Sequence, residues 1–164
     1  IQLYSFSKVY RLTGHRVGLM LASESFIKQA EKFLDTTTIC PNRLAQKAAY
    51  FGLLNLQEFI VKEKLKIEKL KDIFEKEIQN IENWSLLGIG GYFAYLGYNS
   101  KLDSISIAKK LLADQNILTI PGEMFFPKSK NLFVKEKRSI RIAFANSTYE
   151  DMIDLFKRLR NFVL

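Results

Sequence analysis

The sequence predicts an α+β protein with short strands near both ends, long helices between them, and a last unit whose helices cover one side of a short sheet. Three observations carry this prediction. Apolar and polar residues alternate with period two in Ile1-Gln2-Leu3-Tyr4-Ser5-Phe6 and again in Ser139-Ile140-Arg141-Ile142-Ala143-Phe144. The stretch from Leu56 to Gln79 contains neither glycine nor proline and would be roughly 36 Å long as a helix. After it, the pattern runs strand, strand, helix, strand, strand, helix, which is the order of an α+β unit.

The elements follow in order. The first strand ends at Ser5-Phe6, and a second, buried strand is expected over Gly18 to Ala22. Ser23 is positioned to cap a helix with Phe26, Ile27, Ala30, Phe33 and Leu34 on one face. Asp35-Thr36-Thr37-Thr38 reads as a polar, β-branched loop, and Pro41-Asn42 open the next helix through Leu44, Ala45, Ala48, Ala49 and Leu53. Asn55 with Glu58 three residues later predicts a capping box and a new helix start. Its stripe is Leu56, Ile60, Ile67, Leu70, Phe74 and Ile78; Glu63 interrupts a strict heptad, so an isolated coiled coil is not expected.

Trp84–Leu87 and Tyr92–Leu96 are strands around Gly88, Gly90 and Gly91. Ser104 is expected to cap a helix carrying Ile107, Ala108, Leu111 and Leu112, and Ile117–Ile120 to form a short strand stopped by Pro121-Gly122. Residues 128–138 read as a mobile surface loop, and Thr148 with Asp151 opens the last helix. The order predicts three parts: residues 1–38 as the tail of a large α/β domain, 39–80 as linking helices, and 81–164 as a small C-terminal domain.

Composition narrows the function classes. The chain has 164 residues, 48% apolar and 26% charged, enough for one substantial core or two modest ones. No apolar run approaches the roughly 20 residues that span a bilayer, so no membrane partner is expected. The net charge of +8 invites a nucleic-acid reading. The basic residues between Lys47 and Lys76 alternate with Glu58, Glu63, Glu68, Asp72 and Glu75, however, which makes a mixed-sign helical surface and argues against nucleic acid. The single cysteine, Cys40, rules out an intrachain disulfide, fits a reducing compartment, and is read as a small buried hydrophobe. His15 is the only histidine, and no metal site is expected.

The chemistry concentrates at the end of the first strand. Ser5, Ser7 and Lys8 fall there, and Arg16 follows between Gly14 and Gly18 before the chain re-enters a strand. A lysine beside serines is usually a solvated surface charge. An amine with hydroxyls and a guanidinium around one strand end also suits a phosphorylated aldehyde. The amine condenses with the aldehyde, while the serine hydroxyl and the arginine fork hold the phosphate dianion.

Ser5-Phe6-Ser7-Lys8, five further residues, then Gly14-His15-Arg16-Val17-Gly18 resembles the cofactor-lysine signature of class I and II pyridoxal-phosphate aminotransferases. The resemblance implies the fold type I architecture of aspartate aminotransferase and pyridoxal 5'-phosphate as cofactor. It makes Lys8 the catalytic lysine and Ser5, Lys8 and Arg16 the cofactor ligands; Ser7 lies in the motif without an assigned role. The run Arg141-Ile142-Ala143-Phe144-Ala145-Asn146 resembles the family's carboxylate-binding arginine strand, which implies Arg141 as a substrate ligand. Gly90-Gly91-Tyr92-Phe93 and Ile120-Pro121-Gly122-Glu123-Met124-Phe125-Phe126 resemble the glycine-aromatic strand and the substrate-side Pro-Gly loop, in the family's order. His15 receives no acid–base role, because the lysine itself can move the proton.

The implied activity is transfer of an amino group between an amino acid and a 2-oxo acid, by a cytoplasmic homodimer. The implied coverage is the C-terminal two-fifths of such an enzyme, with the aspartate, asparagine, tyrosine and first phosphate loop of its site lying upstream. Two other readings share the lysine: a carbon–sulfur lyase of the same fold, and an aminotransferase-like domain of a transcription regulator.

Overall fold

The computed structural model describes residues 1–126 and 138–164 and is mixed helix and sheet. The chain divides into two compact units, Ile1–Lys64 and Leu65–Leu164.

In the first unit, β1 (Gln2–Ser5) pairs antiparallel with β2 (Gly18–Leu21), Ser5 standing opposite Gly18. Between them lie a single helical turn, α1 (Phe6–Val9), and a 3-10 turn at Thr13–His15. Helices α2 (Glu24–Thr37) and α3 (Arg43–Asn55) follow. A small core gathers Phe6, Tyr10 and Val17 against Ala45 and Ala49 of α3, with Leu56 and Ile60 packed on it. Alanines at these α3 positions let the helix approach closely enough to cover α1. The boundary between the units falls inside α4 (Gln57–Ile78), whose Ile60 packs on the first core and whose Leu70, Phe74 and Ile78 are buried in the second.

The second unit is a four-stranded antiparallel sheet in the order β3-β4-β6-β5, formed by Trp84–Gly90, Phe93–Tyr98, Ser139–Ala143 and Ile120–Pro121. Proline is tolerated in β5 because β5 is an edge strand and Pro121 has no N–H to leave unpaired. Helices α5 (Ser104–Gln115) and α6 (Tyr149–Asn161) complete the unit. Ala94 and Leu96 pair with Ile142 and Ile140 on the buried face, where Phe74, Ile107, Leu111, Met152 and Phe156 meet them. Phe93, Tyr95 and Arg141 take the alternate positions and so point to the other face. Thr148 and Asp151 form the expected capping box of α6.

Several local expectations are corrected. Asp35, Thr36 and Thr37 are the last turn of α2 and not a loop, because the Thr36 and Thr37 hydroxyls donate back to the Phe33 carbonyl. Asn55 does not begin a helix: it ends α3, its side-chain amide donating to the Phe51 carbonyl, and Leu56 alone separates α3 from α4. Ser104 is not the cap of α5. Asp103 is, accepting from the Ser106 N–H, while Ser104 is fully buried and donates to Glu123 Oε2. The strand expected over Ile117–Ile120 is shifted to Ile120–Pro121. Cys40 is exposed, not buried, in the short connection between α2 and α3. The loop predicted at 128–138 lies outside the described residues except for Arg138, which is in a turn.

Candidate cofactor-lysine site and candidate carboxylate site

The local fold around Lys8 follows from two serines and a bend. Ser5 closes β1 in an extended conformation and caps α1, its Oγ accepting from the Ser7 N–H at 3.3 Å. Phe6 then turns inward, to 3% exposure, and its N–H donates to the Val17 carbonyl at 3.4 Å. With Phe6 and Tyr10 anchored in the core, the turn presents Lys8 at the surface.

Arg16 reaches the same place from the returning strand. Its backbone is left-handed (φ 50°, ψ 51°), the bend that ends the 3-10 turn and lets Val17 re-enter the hairpin. Its Nη1 donates to the Thr13 carbonyl at 2.9 Å and to Ser7 Oγ at 3.5 Å. The chain thus brings together Ser5, Ser7 and Arg16 at one end of the β1–β2 hairpin, on the turn that carries Lys8. Ser7 is the residue that sequence reasoning left without a role; its place in the motif, nine residues before Arg16, was the available signal.

An open cleft of about 890 Å³ borders this end of the hairpin. Ser5, Ser7, Gly14, Arg16 and Gly18 line it on one side, and Thr38, Cys40 and Asn42 on another; Lys8 is not among its lining residues. The donor set fits a phosphate monoester: two hydroxyls and a guanidinium that carries five N–H groups, only part of which are used by Thr13 and Ser7. Among the described residues no group of His, Cys, Asp and Glu could hold a metal ion, and no helix is long and apolar enough to cross a membrane.

Arg141 lies in the second unit, half-buried in the middle of β6, with Tyr95 and Ile120 as its cross-strand partners. Its guanidinium carbon lies 4.2 Å from the ring centroid of Phe93 and 4.2 Å from that of Phe125. Phe125 also meets the Tyr95 ring edge-on at 5.8 Å. Burial pushes the Tyr95 phenol up, and the Arg141 charge pulls it partly back. The two aromatics come from the glycine-aromatic strand and the Pro-Gly loop singled out in the sequence, although neither had been connected to Arg141.

A lysine on a one-turn helix beside serines and an arginine of the flanking hairpin, and an arginine on an antiparallel C-terminal sheet, stand where the cofactor-lysine and carboxylate-arginine resemblances of the sequence had put them. The chain belongs to the family of class I and II aminotransferases, whose model matches residues 1–159. It is 29% identical over 99% of its length to an aspartate aminotransferase of Sulfurisphaera tokodaii, covering 40% of that protein. It is 28% identical, also over 99%, to a (5-formylfuran-3-yl)methyl phosphate transaminase of Methanocaldococcus jannaschii, covering 42% of it. A crystal structure of a PLP-dependent aminotransferase from Streptococcus suis shares the fold, with a TM-score of 0.81 over 97% of this chain and 40% of that one, at 21% identity. The chain spans about two-fifths of the length of these proteins.

Proposed function

We propose that this chain is the lysine-bearing part of an amino-acid aminotransferase that exchanges an amino group between an amino acid and a 2-oxo acid. The observation that carries the reading is the convergence of Ser5, Ser7 and Arg16 on the turn that holds Lys8. When bound, pyridoxal phosphate supplies an electron sink for the bond cleaved at the substrate's Cα. Lys8 would hold the group and, once released from it, would carry the proton at Cα. Ser5 and Arg16 would hold its phosphate through charge-assisted hydrogen bonds. Arg141 receives the substrate α-carboxylate in the same bidentate manner, which orients Cα for proton transfer.

In this reading residues 1–38 belong to the large cofactor domain, 39–80 to linking helices and 81–164 to the small domain. The whole protein is a cytoplasmic homodimer, as the resemblance implies. The membership of the aminotransferase class I and II family supports amino transfer over elimination. The test is a panel of amino donors given to the whole protein with a 2-oxo acid acceptor. Amino transfer yields one new 2-oxo acid for each new amino acid. Release of ammonia and a 2-oxo acid without the new amino acid would identify an eliminating enzyme instead.

A further inference from the structure

Arg141 is held differently from the other arginines whose contacts define the surface. Arg11 reaches Glu63, Arg158 reaches Asp154 and the Gln115 carbonyl, and Arg160 reaches Glu77. Among the described residues the Arg141 guanidinium makes no hydrogen bond and no ion pair; its contacts are aromatic faces. Phe93 and Phe125 each place a ring centroid 4.2 Å from its central carbon, so that two aromatic rings from different elements pack against the cation.

We infer that Phe93 and Phe125 are positioning residues: their two rings clamp the Arg141 guanidinium in place, so that it can present its N–H groups to a bidentate carboxylate. This rests on the reading of Arg141 as the carboxylate ligand. The physical reason is twofold. An arginine side chain carries large rotamer freedom, which a ligand must otherwise freeze. Two rings packed against the cation restrict its rotamers beforehand, attract it through their quadrupoles and exclude water beside it. A carboxylate that arrives edge-on meets two parallel donors without competing with an internal partner among the described residues. Both rings come from turns that fix them independently: Phe93 opens β4 after the Gly91-Tyr92 hairpin turn, and Phe125 ends the 3-10 turn Gly122–Phe125.

The test measures binding of two monocarboxylates, propanoate and 3-phenylpropanoate, to the cofactor-loaded whole protein. Phe93→Leu and Phe125→Leu should each weaken both anions by about two- to fivefold, while Phe125→Tyr keeps the wild-type affinity. Retention of the cofactor should not change in any of them. A loss confined to 3-phenylpropanoate would overturn the clamp, because the rings would then be only an apolar wall; no loss for either anion would overturn it as well. Arg141→Ala is the separate arm. If it leaves propanoate binding unchanged, the carboxylate reading itself fails and the inference falls with it. A variant that does not fold is bypassed by nuclear magnetic resonance of the wild-type chain. The Arg141 side-chain N–H signals, assigned by their disappearance in Arg141→Lys, should be shifted upfield by the two rings, and an unshifted position would contradict the clamp.

Discussion

The division of labour between two arginines is the sharpest claim at the scale of single residues. Arg16 already bonds Ser7 at the lysine turn, whereas the contacts of Arg141 among the described residues are aromatic. In the whole protein, Arg16→Ala should therefore weaken cofactor retention by roughly 1.5–3 kcal/mol, the value of a hydrogen bond to a charged group. Arg141→Ala should raise the Michaelis constant for the amino donor and leave the cofactor in place. Dialysis followed by cofactor absorbance separates the two, and the reverse result would exchange their roles. A second residue-scale prediction concerns Tyr98, 6% exposed, whose hydroxyl donates to the Leu102 carbonyl. Burial, with the nearby Asp103 and Glu123 charges, pushes its phenol from 10.0 up to about 12, against the pull of Arg138. The folded state thus keeps the proton that the unfolded chain loses first. The stability this confers is complete below pH 10 and is lost as pH rises from 10 to about 12. Denaturant melts of Tyr98→Phe should show a shallower decline over that window, and an unchanged slope would remove Tyr98 as its cause.

Among the elements, two close approaches decide what the chain tolerates. A Cβ on Gly52 of α3 would stand 2.8 Å from the Tyr10 ring, and a Cβ on Gly122 would stand 1.9 Å from Ser139 Oγ and 2.7 Å from the Ser139 carbonyl oxygen. Gly52→Ala can be relieved by a shift of one ring, at a cost of about 1–3 kcal/mol. Gly122→Ala presses on β6 backbone and should be the more damaging of the two, read as the lower midpoint of thermal melting. The sequence made the elements legible where the pattern was long or strongly capped. Arg141 flanked by Ile140 and Ile142, the glycine-free α4 and the Thr148–Asp151 box were all readable. It was ambiguous where two local bonds compete. Asn55 can cap a helix or donate backward, and Ser104 can cap or be buried against Glu123; only the tertiary partners decide. The lysine turn was legible because its spacing is local, while the meeting of Phe93, Phe125 and Arg141 depends on a sheet register that no single stretch encodes.

At the scale of the molecule, the two units differ in how well they bury themselves. The second has a continuous core in which Phe74, Leu96, Ile107, Ile140 and Phe156 are wholly buried. The first leaves Leu3 at 71% exposure, Phe33 at 68% and Leu44 at 72%, and α2 buries no residue at all. The 164-residue chain alone should therefore show amide protection concentrated in residues 65–164, with early exchange in α2 and the β1–β2 hairpin. Equal protection in both units would contradict this. The same chain should not transaminate in single-turnover assays with amino acids, since it spans only about two-fifths of the length of its aminotransferase relatives; stoichiometric conversion would show that this part suffices. The central claim is that Lys8 carries the cofactor, and one measurement reaches it directly: borohydride reduction of the whole protein with pyridoxal phosphate, followed by peptide mapping. The account predicts a stable cofactor adduct on Lys8, lost in Lys8→Ala. An adduct mapped to another lysine, with Lys8 unmodified, would contradict it.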